Sequence, residues 1–496
     1  MTSSFILSID QGTTGSRAFI FDHNGKVVAS AYREFTQYFP HPGWVEHDAE
    51  EIWRSVVAVI QSAVRKAKIS QNQIVSIGIT NQRETTLVWD RETSKPLYRA
   101  IVWQCRRTAD MCAAPSLKKH ASFIRRKTGL VLDAYFSATK IKWLFNHVKG
   151  LREKARKGQV CFGTIDSWLI WKLTGGKVHV TDVTNASRTL VFNIQKLAWD
   201  DELLKIFGIP GNILPEVKMS GGHFGATNGN ENILRNGISI NAVMGDQQAA
   251  LYGQGCHAPG TVKNTYGTGC FMVLNTGKKL IYSKSGLLST IACDAFGKPV
   301  YALEGSVFIA GAVVQWLRDQ LKVIPDAHSS EKAIQGLKDT NGVYFVPAFV
   351  GLGAPYWDAE ARGIICGLTR GANAGHIIRA GLESIACQTK DVFDLMQKAM
   401  GRKISSLKVD GGACRNNFLM QFQADMLGCR VVRPRMTDST ASGVAYLAGL
   451  TAGVWDQKDL KNMNTVDRIF SPAMPARLVQ EKYSGWLKAV ERAIGN

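Results

Sequence analysis

Three carboxylates in this chain stand at the end of an apolar run, just where a turn or a helix must begin. Asp10 follows Phe5, Ile6, Leu7 and Ile9 and opens Gln11-Gly12-Thr13-Thr14-Gly15-Ser16-Arg17. Asp246 follows Ala242-Val243-Met244-Gly245 and opens Gln247-Gln248-Ala249-Ala250-Leu251. Asp410 follows Leu407-Lys408-Val409 and opens Gly411-Gly412-Ala413. Around Asp10, Gly12 and Gly15 let backbone N–H groups approach an anion. Thr13, Thr14, Ser16 and Arg17 add donors, and Asp10 can hold a hydrated metal ion. The combination points to a nucleoside triphosphate with its magnesium. Gly-Thr-Thr-Gly also suits an ordinary hairpin turn, and that alternative stays open at this point.

Asp246 can accept the proton of a hydroxyl while that oxygen attacks phosphorus. An Asp that merely caps a helix would look the same. Gln247 adds a second polar group beside it. Arg83-Glu84 follows the short apolar run from Ile74 to Thr80. Glu84 can accept from a substrate hydroxyl, and Arg83 offers a planar set of donors. The alternative is a surface ion pair. Trp103 and Tyr135 can lay an aromatic face over the carbons of a polyol, or can equally belong to a core.

These groups need strand ends and helix starts to hold them. The opening segment reads as strand, turn, strand, with His23-Asn24-Gly25 turning again. Asp48-Ala49-Glu50-Glu51 has the form of a helix start. Trp53, Val56, Val57, Ile60 and Val64 then recur at helical spacing. Ile74 to Thr80 and Leu87 to Trp89 read as strands, Ala138 to His147 and Ser167 to Leu173 as helices. The alternation breaks at Gly253 to Gly260, which divides the chain into residues 1–254 and 255–496. A restart follows: Thr261-Val262-Lys263-Asn264 leads to Thr265-Tyr266-Gly267-Thr268-Gly269-Cys270, then Phe271 to Leu274. Strand, Gly-Thr turn, strand thus occurs twice. That pattern predicts two similar α/β domains, each giving one phosphate-holding hairpin to a cleft between them. After Asp410, Arg415-Asn416-Asn417 opens a helix from Phe418 to Met426, a strand–glycine turn–helix arrangement suited to a nucleotide. In an open α/β sheet, ligands gather at such carboxyl ends.

The chain has 496 residues, more than one ordinary core holds. No apolar run approaches the roughly 20 residues of a membrane span, and Met-Thr-Ser-Ser-Phe lacks a basic stretch before its apolar residues. The expectation is a protein of the cytoplasm that enters no membrane. The ten cysteines form no C-x-x-C pair and predict buried free thiols, Cys161, Cys366 and Cys387 among them. The net charge of +20 concentrates in Arg125-Arg126-Lys127 and in Lys149 to Lys157. No nucleic-acid motif accompanies these stretches, and the second reads as the solvated end of a helix and its loop, so no nucleic-acid partner is expected.

Taken together, Asp10 to Arg17, Asn81-Gln-Arg-Glu-Thr85, Gly245-Asp-Gln-Gln-Ala249, Asn264-Thr-Tyr-Gly-Thr-Gly-Cys-Phe271 and Asp410-Gly-Gly-Ala-Cys-Arg-Asn-Asn417 resemble the glycerol kinases. These are FGGY carbohydrate kinases of the actin-like ATPase superfamily. Gly351-Leu-Gly-Ala-Pro-Tyr-Trp-Asp358 and Ala361-Arg-Gly363 match as well, in order along the chain. The resemblance implies two actin-like, ribonuclease H-like domains flanking a central catalytic cleft, and transfer of phosphate from ATP to glycerol. It implies that Arg83, Glu84, Tyr135 and Asp246 bind glycerol with Gln247 beside them, and that Trp103 and Phe271 pack on its carbons. Asp246 is then the general base. Thr13, Thr14, Ser16, Arg17 and Thr268 hold ATP phosphates. Gly311, Gln315, Gly412 and Asn416 line the rest of the nucleotide site. Asp10 binds Mg2+ through water, with Asp246 a further candidate. A dimer or tetramer is also implied.

The sequence departs from the family in its regulatory loop. Ser220 to Gly237 lacks both Gly-Gly-Lys-Gly-Gly-Thr-Arg and His-Phe-Tyr-Gly, with His223-Phe224-Gly225 only a partial echo. Control by fructose bisphosphate or by histidine phosphorylation is therefore not expected. Gly15 stands where serine or another small residue is common. The alternatives are another polyol or sugar kinase of this fold, an actin-like filament or chaperone ATPase, and a nucleic-acid-binding protein.

Overall fold

In the computed structural model, residues 4–229, 233–283, 285–358 and 360–494 are described. Asn230, Glu231 and Asn232 of the regulatory loop lie outside them. The chain forms two compact units that interleave in sequence. The first comprises Met1–His257, Ser289–Tyr301 and Thr440–Met463; the second comprises Ala258–Leu288, Ala302–Ser439 and Asn464–Asn496.

The first unit is built on a six-stranded sheet. Its order is Val27–Glu34, Gly15–Phe21, Phe5–Gln11, Ile74–Asn81, Asn236–Gly245, Ala226–Asn228. The first three strands run antiparallel as a meander. Phe5–Gln11, Ile74–Asn81 and Asn236–Gly245 are parallel, and Ala226–Asn228 closes the edge antiparallel. The parallel strands are buried nearly end to end, which is why they read as continuous apolar runs instead of alternating ones. Sequence reasoning found the first two strands of the meander. It did not extract the third, whose alternate residues are exposed.

The helix Ala49–Ala67 packs on that meander. Asp48 caps it by accepting from the N–H groups of Glu50 and Glu51, and Ile52, Trp53, Val56, Val59, Ile60 and Ala63 form the buried stripe. Val57 and Val64, counted in the stripe from spacing alone, pack only at its margin. The helix Ser439–Thr451 returns to the same unit from far along the chain. Ser8 and Ser76 donate to the carbonyls of Ala441 and Ala448 at 2.8 and 3.2 Å. Gly78 makes this approach possible, because a Cβ there would stand 2.5 Å from the Val444 carbonyl oxygen.

The second unit is built on the strands Pro299–Val307, Cys270–Gly277, Val262–Tyr266, Ser406–Asp410, Arg430–Pro434 and Val466–Phe470, in that order. Val262–Tyr266 is antiparallel to Cys270–Gly277 and parallel to Ser406–Asp410. Arg430–Pro434 continues parallel, and Val466–Phe470 closes antiparallel. This order matches that of the first sheet, and the directions from Cys270–Gly277 to Val466–Phe470 match those from Gly15–Phe21 to Ala226–Asn228. The repeat of the Gly-Thr turn in sequence is therefore a repeat of architecture, and the fold is mixed α/β as expected. The core here gathers the helices Gly311–Asp319, Ala374–Met400 and Asn417–Leu427.

Two local expectations need correction. Cys366 is only half-buried, on the short strand Ile364–Cys366, whereas Cys161 and Cys387 are buried; all ten cysteines are free. The stretch from Lys149 to Lys157 is not the end of the preceding helix. Gly150, at a φ of 75°, breaks the chain after Ser137–His147 and starts a separate helix, Leu151–Arg156, that buries Leu151 and Ala155. No helix among the described residues is long and apolar enough to cross a membrane.

Candidate active site

Parallel register alone brings the first group of residues together. Asp10 pairs with Thr80, Gln11 with Asn81, and Asn81 with Gly245. Asp10, Gln82-Arg83 and Asp246 therefore emerge at the carboxyl ends of three adjacent strands of one sheet, where a doubly covered α/β sheet places its ligands. Gly245 is the N-cap position of the helix Asp246–Gly253, so Asp246 is the first residue of that helix and not its cap. Its Oδ1 accepts from the Gln247 N–H at 2.7 Å, and Gln247 Nε2 lies 3.3 Å from Oδ2. The carboxylate stays partly open, with 31% of its side chain exposed.

Arg83 and Glu84 are not a surface pair. Both are buried, at 3% and 1% exposure. Arg83 Nε stands 3.2 Å from Asp246 Oδ1, and Arg83 donates through Nη1 to Gln248 Oε1 at 3.2 Å. Glu84 turns the other way. Its Oε1 takes Arg188 Nε at 2.6 Å, while Arg83 Nε is 4.0 Å off. The Arg188 guanidinium lies 5.7 Å from the Tyr135 ring centroid and 5.3 Å from that of Phe136. Tyr135 and Trp103 meet edge to face at 5.6 Å. Trp103 Nε1 then donates to Thr13 Oγ1 at 3.0 Å, which ties the aromatic wall to the glycine turn after Asp10. One continuous set of contacts thus runs from Asp246 through Arg83, Glu84, Arg188, Tyr135 and Trp103 to Thr13.

The turn itself is held by amides. Gly12 N–H bonds the Gly15 carbonyl at 2.9 Å. Gln11 and Gln82 both donate to the Gly12 carbonyl, at 2.7 and 3.2 Å, and Gln37 donates to that of Thr13 at 3.1 Å. His47 supports Gln37 at 2.7 Å. Thr14 and Arg17 are exposed and Thr13 is half-buried. Ser16 departs from expectation. Its hydroxyl is buried and bonded to Ser55 at 2.8 Å, so it offers an anion no hydroxyl. The strand alternation already carried that signal, since Ser16 shares a sheet face with Ala18 and Ile20, both in the core.

The remaining expected residues collect in the second unit. Gly267 N–H bonds the Gly269 carbonyl at 2.9 Å, a closure one residue tighter than that of Gly12 on Gly15. Thr268 lies at the apex, and its carbonyl accepts from Ala310 and Ala312 at 2.8 and 3.1 Å. Gly311 N–H bonds the Gly267 carbonyl at 3.0 Å, and a Cβ on Gly311 would come within 2.5 Å of that oxygen. Gln315 is exposed on the helix that Gly311 opens. Gly411, at a φ of 85°, leaves open space over Gly412. A single turn of 3-10 helix, Gly412–Arg415, precedes the helix Asn417–Leu427. Asn416 caps that helix by accepting from Leu419 N–H at 2.8 Å. Phe271 sits opposite Thr265 on the second hairpin.

Residues 5–253 match the N-terminal domain, and residues 262–452 the C-terminal domain, of the FGGY family of carbohydrate kinases. The chain belongs to the FGGY carbohydrate kinases. This FGGY kinase is 58% identical over 494 residues to a protein named glycerol kinase from Caldanaerobacter subterraneus, covering 99% of each chain. It is 56% identical over 492 residues to one named glycerol kinase 2 from Thermotoga maritima, again covering 99% of each. Its fold matches the crystal structure of Plasmodium falciparum glycerol kinase with ADP at a TM-score of 0.92 and 38% identity, over 99% of this chain and 98% of that one. Each of the two matched regions begins at one of the two hairpins.

Several buried groups of this kinase were not visible in sequence. Arg188 and Lys140 are wholly buried, and Lys140 Nζ donates to the carbonyls of Glu84 and Tyr135 at 3.1 and 2.7 Å. Asp182 accepts from Ser220 Oγ at 2.7 Å and from Asn185 Nδ2 at 2.9 Å, while Asn185 Nδ2 also meets Asn81 Oδ1 at 3.1 Å. Thr184 accepts from Gly245 N–H at 2.9 Å. These bonds fix the strand ends that carry Gln82-Arg83 and Asp246.

Proposed function

We propose that this kinase transfers the γ-phosphoryl group of ATP to the 3-hydroxyl of glycerol, giving sn-glycerol 3-phosphate and ADP. The observation that carries the reading is the contact of Arg83 Nε with Asp246 Oδ1 at 3.2 Å, beside a Glu84 held by Arg188. A small neutral triol offers little area, so its recognition must rest on hydrogen bonds to each hydroxyl. Arg83 supplies donors, Glu84 and Asp246 acceptors, and Tyr135 a phenol, with Trp103 giving carbon an aromatic face. The names of the two full-length relatives support the same acceptor.

In this reading Asp246 takes the proton of the attacking hydroxyl as its oxygen bonds to phosphorus, and the bridging oxygen leaves with ADP. Arg83 orients that carboxylate. Thr13, Thr14 and Arg17 donate to the phosphates, and so do the backbone N–H groups of the first turn. Thr268, Gly311, Gln315, Gly412 and Asn416 serve the nucleotide from the second unit, with Asn416 acting through its amide or backbone since its oxygen caps a helix. Phe271 is assigned to the carbons of glycerol.

Magnesium would be held by Asp10 through water. No group of three or more His, Cys, Asp or Glu among the described residues can hold a metal directly. A half-buried single carboxylate beside a phosphate turn suits an ion that keeps most of its waters and arrives with the nucleotide. The ion would neutralise phosphate charge. Ten free thiols fit a reducing cytoplasm. A dimer or tetramer belongs to the same reading.

Purified protein given ATP, magnesium and a panel of polyols tests it. Glycerol is expected to be the preferred acceptor. Comparable or greater efficiency on a pentulose moves the assignment to a sister sugar kinase, and slow ATP turnover indifferent to glycerol moves it to an actin-like ATPase.

A further inference from the structure

Glu84 holds a backbone conformation that side-chain-bearing residues avoid. Its φ is 60°, and Thr85 N–H bonds the Arg83 carbonyl across it at 2.7 Å. Residue 84 is therefore the apex of a three-residue turn with positive φ, a strained form that persists only where its surroundings over-determine it. Three side chains do so at a single atom. The Glu84 carbonyl oxygen accepts from Thr86 Oγ1 at 3.0 Å, Lys140 Nζ at 3.1 Å and Ser137 Oγ at 3.3 Å.

Lys140 reaches further than the other two. The same Nζ donates to the Tyr135 carbonyl at 2.7 Å. Its side chain, on the helix Ser137–His147, has no exposure. Burying an ammonium there costs free energy that an apolar side chain of similar volume would not, so packing alone gives no reason for a lysine. Burial brings Lys140 down to about 7 against the attraction of the Glu84 and Asp133 carboxylates, and the Arg107 charge adds to the lowering. An amine that loses one proton keeps two N–H donors, so both carbonyl bonds survive in either form.

Resting on the glycerol kinase reading above, we propose that Lys140 is a positioning and specificity-determining residue for the acceptor. By bonding the main-chain carbonyls of Glu84 and Tyr135 at once, it fixes the spacing between the carboxylate and the phenol that grip the polyol. That spacing selects a three-carbon triol over a longer one. Lys140 acts through those two residues and not on the reacting atoms.

The test compares wild type with Lys140→Met, using glycerol and the four-carbon erythritol at saturating ATP, with thermal unfolding followed alongside. The glycerol KM is expected to rise about tenfold and the ATP KM to stay within about twofold. The preference for glycerol over erythritol in kcat/KM falls about fivefold. A lower Vmax with glycerol KM and preference unchanged is the result of a merely structural role and overturns the proposal. Thr86→Val removes one of the three donors to the same carbonyl without touching the helix, and is expected to raise the glycerol KM about threefold. Should Lys140→Met fail to fold, an unchanged KM in Thr86→Val overturns the proposal by itself. Wild type inactive on glycerol overturns the functional reading, whereas active wild type with unshifted variants overturns only the role of Lys140.

Discussion

Arg188 Nε and Glu84 Oε1 lie 2.6 Å apart, 104 residues distant in sequence, with both side chains withdrawn from solvent. The pair joins the strained turn after the strand Ile74–Asn81 to the segment beyond the short helix Val183–Ala186. It holds the Glu84 carboxylate in a fixed position. In this account that carboxylate reads one hydroxyl of glycerol.

Removing one member leaves the other charge buried. Arg188→Met is expected to cost about 3–5 kcal/mol of stability and to raise the glycerol KM more than the ATP KM. Arg188→Met combined with Glu84→Gln should be less destabilised than Arg188→Met alone, because the orphaned charge is gone. Thermal unfolding of the three proteins checks this; equal losses in the single and double variants would mean that the pair is not the source of the effect.

The second unit offers a separate handle. A Cβ on Gly311 would stand 2.5 Å from the Gly267 backbone oxygen, which no side-chain rotation relieves. Gly311→Ala must displace the turn that carries Thr268, at a cost of about 1–3 kcal/mol. We expect the ATP KM to rise several-fold while the glycerol KM holds. A normal ATP KM would remove the second hairpin from the nucleotide site.

The main features of the site were legible because local chemistry writes them. Asp10 and Asp246 follow apolar runs, and glycine with threonine marks both hairpins, so the repeat and the carboxylates could be read from short windows. Arg83 and Glu84 were found by residue type, but their burial was not, since a charged dipeptide after a strand looks like any surface pair. Arg188 and Lys140 left no local signal. Arg188 sits in Asn185-Ala-Ser-Arg-Thr-Leu190, and Lys140 lies within an ordinary helical pattern; their meaning exists only through contacts with Glu84 and Tyr135. The return of Ser439–Thr451 to the first unit was invisible for the same reason, because its contacts with Ser8 and Ser76 span more than 370 residues. Ser16 was misplaced by weighing residue type over strand alternation.

Acid should weaken the fold through two buried histidines. Burial lowers both His47 and His179 to about 4, with attraction from Glu51 opposing in the first and a bond to the Phe162 carbonyl opposing in the second. Between about 4 and the unfolded value near 6.5 the unfolded chain binds more protons. Their contribution is therefore complete above pH 6.5 and lost as pH falls toward 4, by about 3 kcal/mol each. Asp166, pushed by burial up to about 7, and Asp391, up to about 6, act in the opposite sense, contributing most below pH 3.8 and less as pH rises through their folded values. A difference measurement isolates the histidine. The destabilisation caused by His179→Phe should be largest above pH 6.5 and shrink toward pH 4; a penalty independent of pH would contradict the assignment.

The central claim is that Asp246 accepts the glycerol proton. Asp246→Asn keeps the shape and the bond from Gln247 N–H but removes the base, so its turnover of glycerol with ATP and magnesium is the direct test. The expected result is a loss of about two to four orders of magnitude in kcat, with ATP affinity within about twofold of wild type. Turnover within a factor of about five of wild type would contradict it.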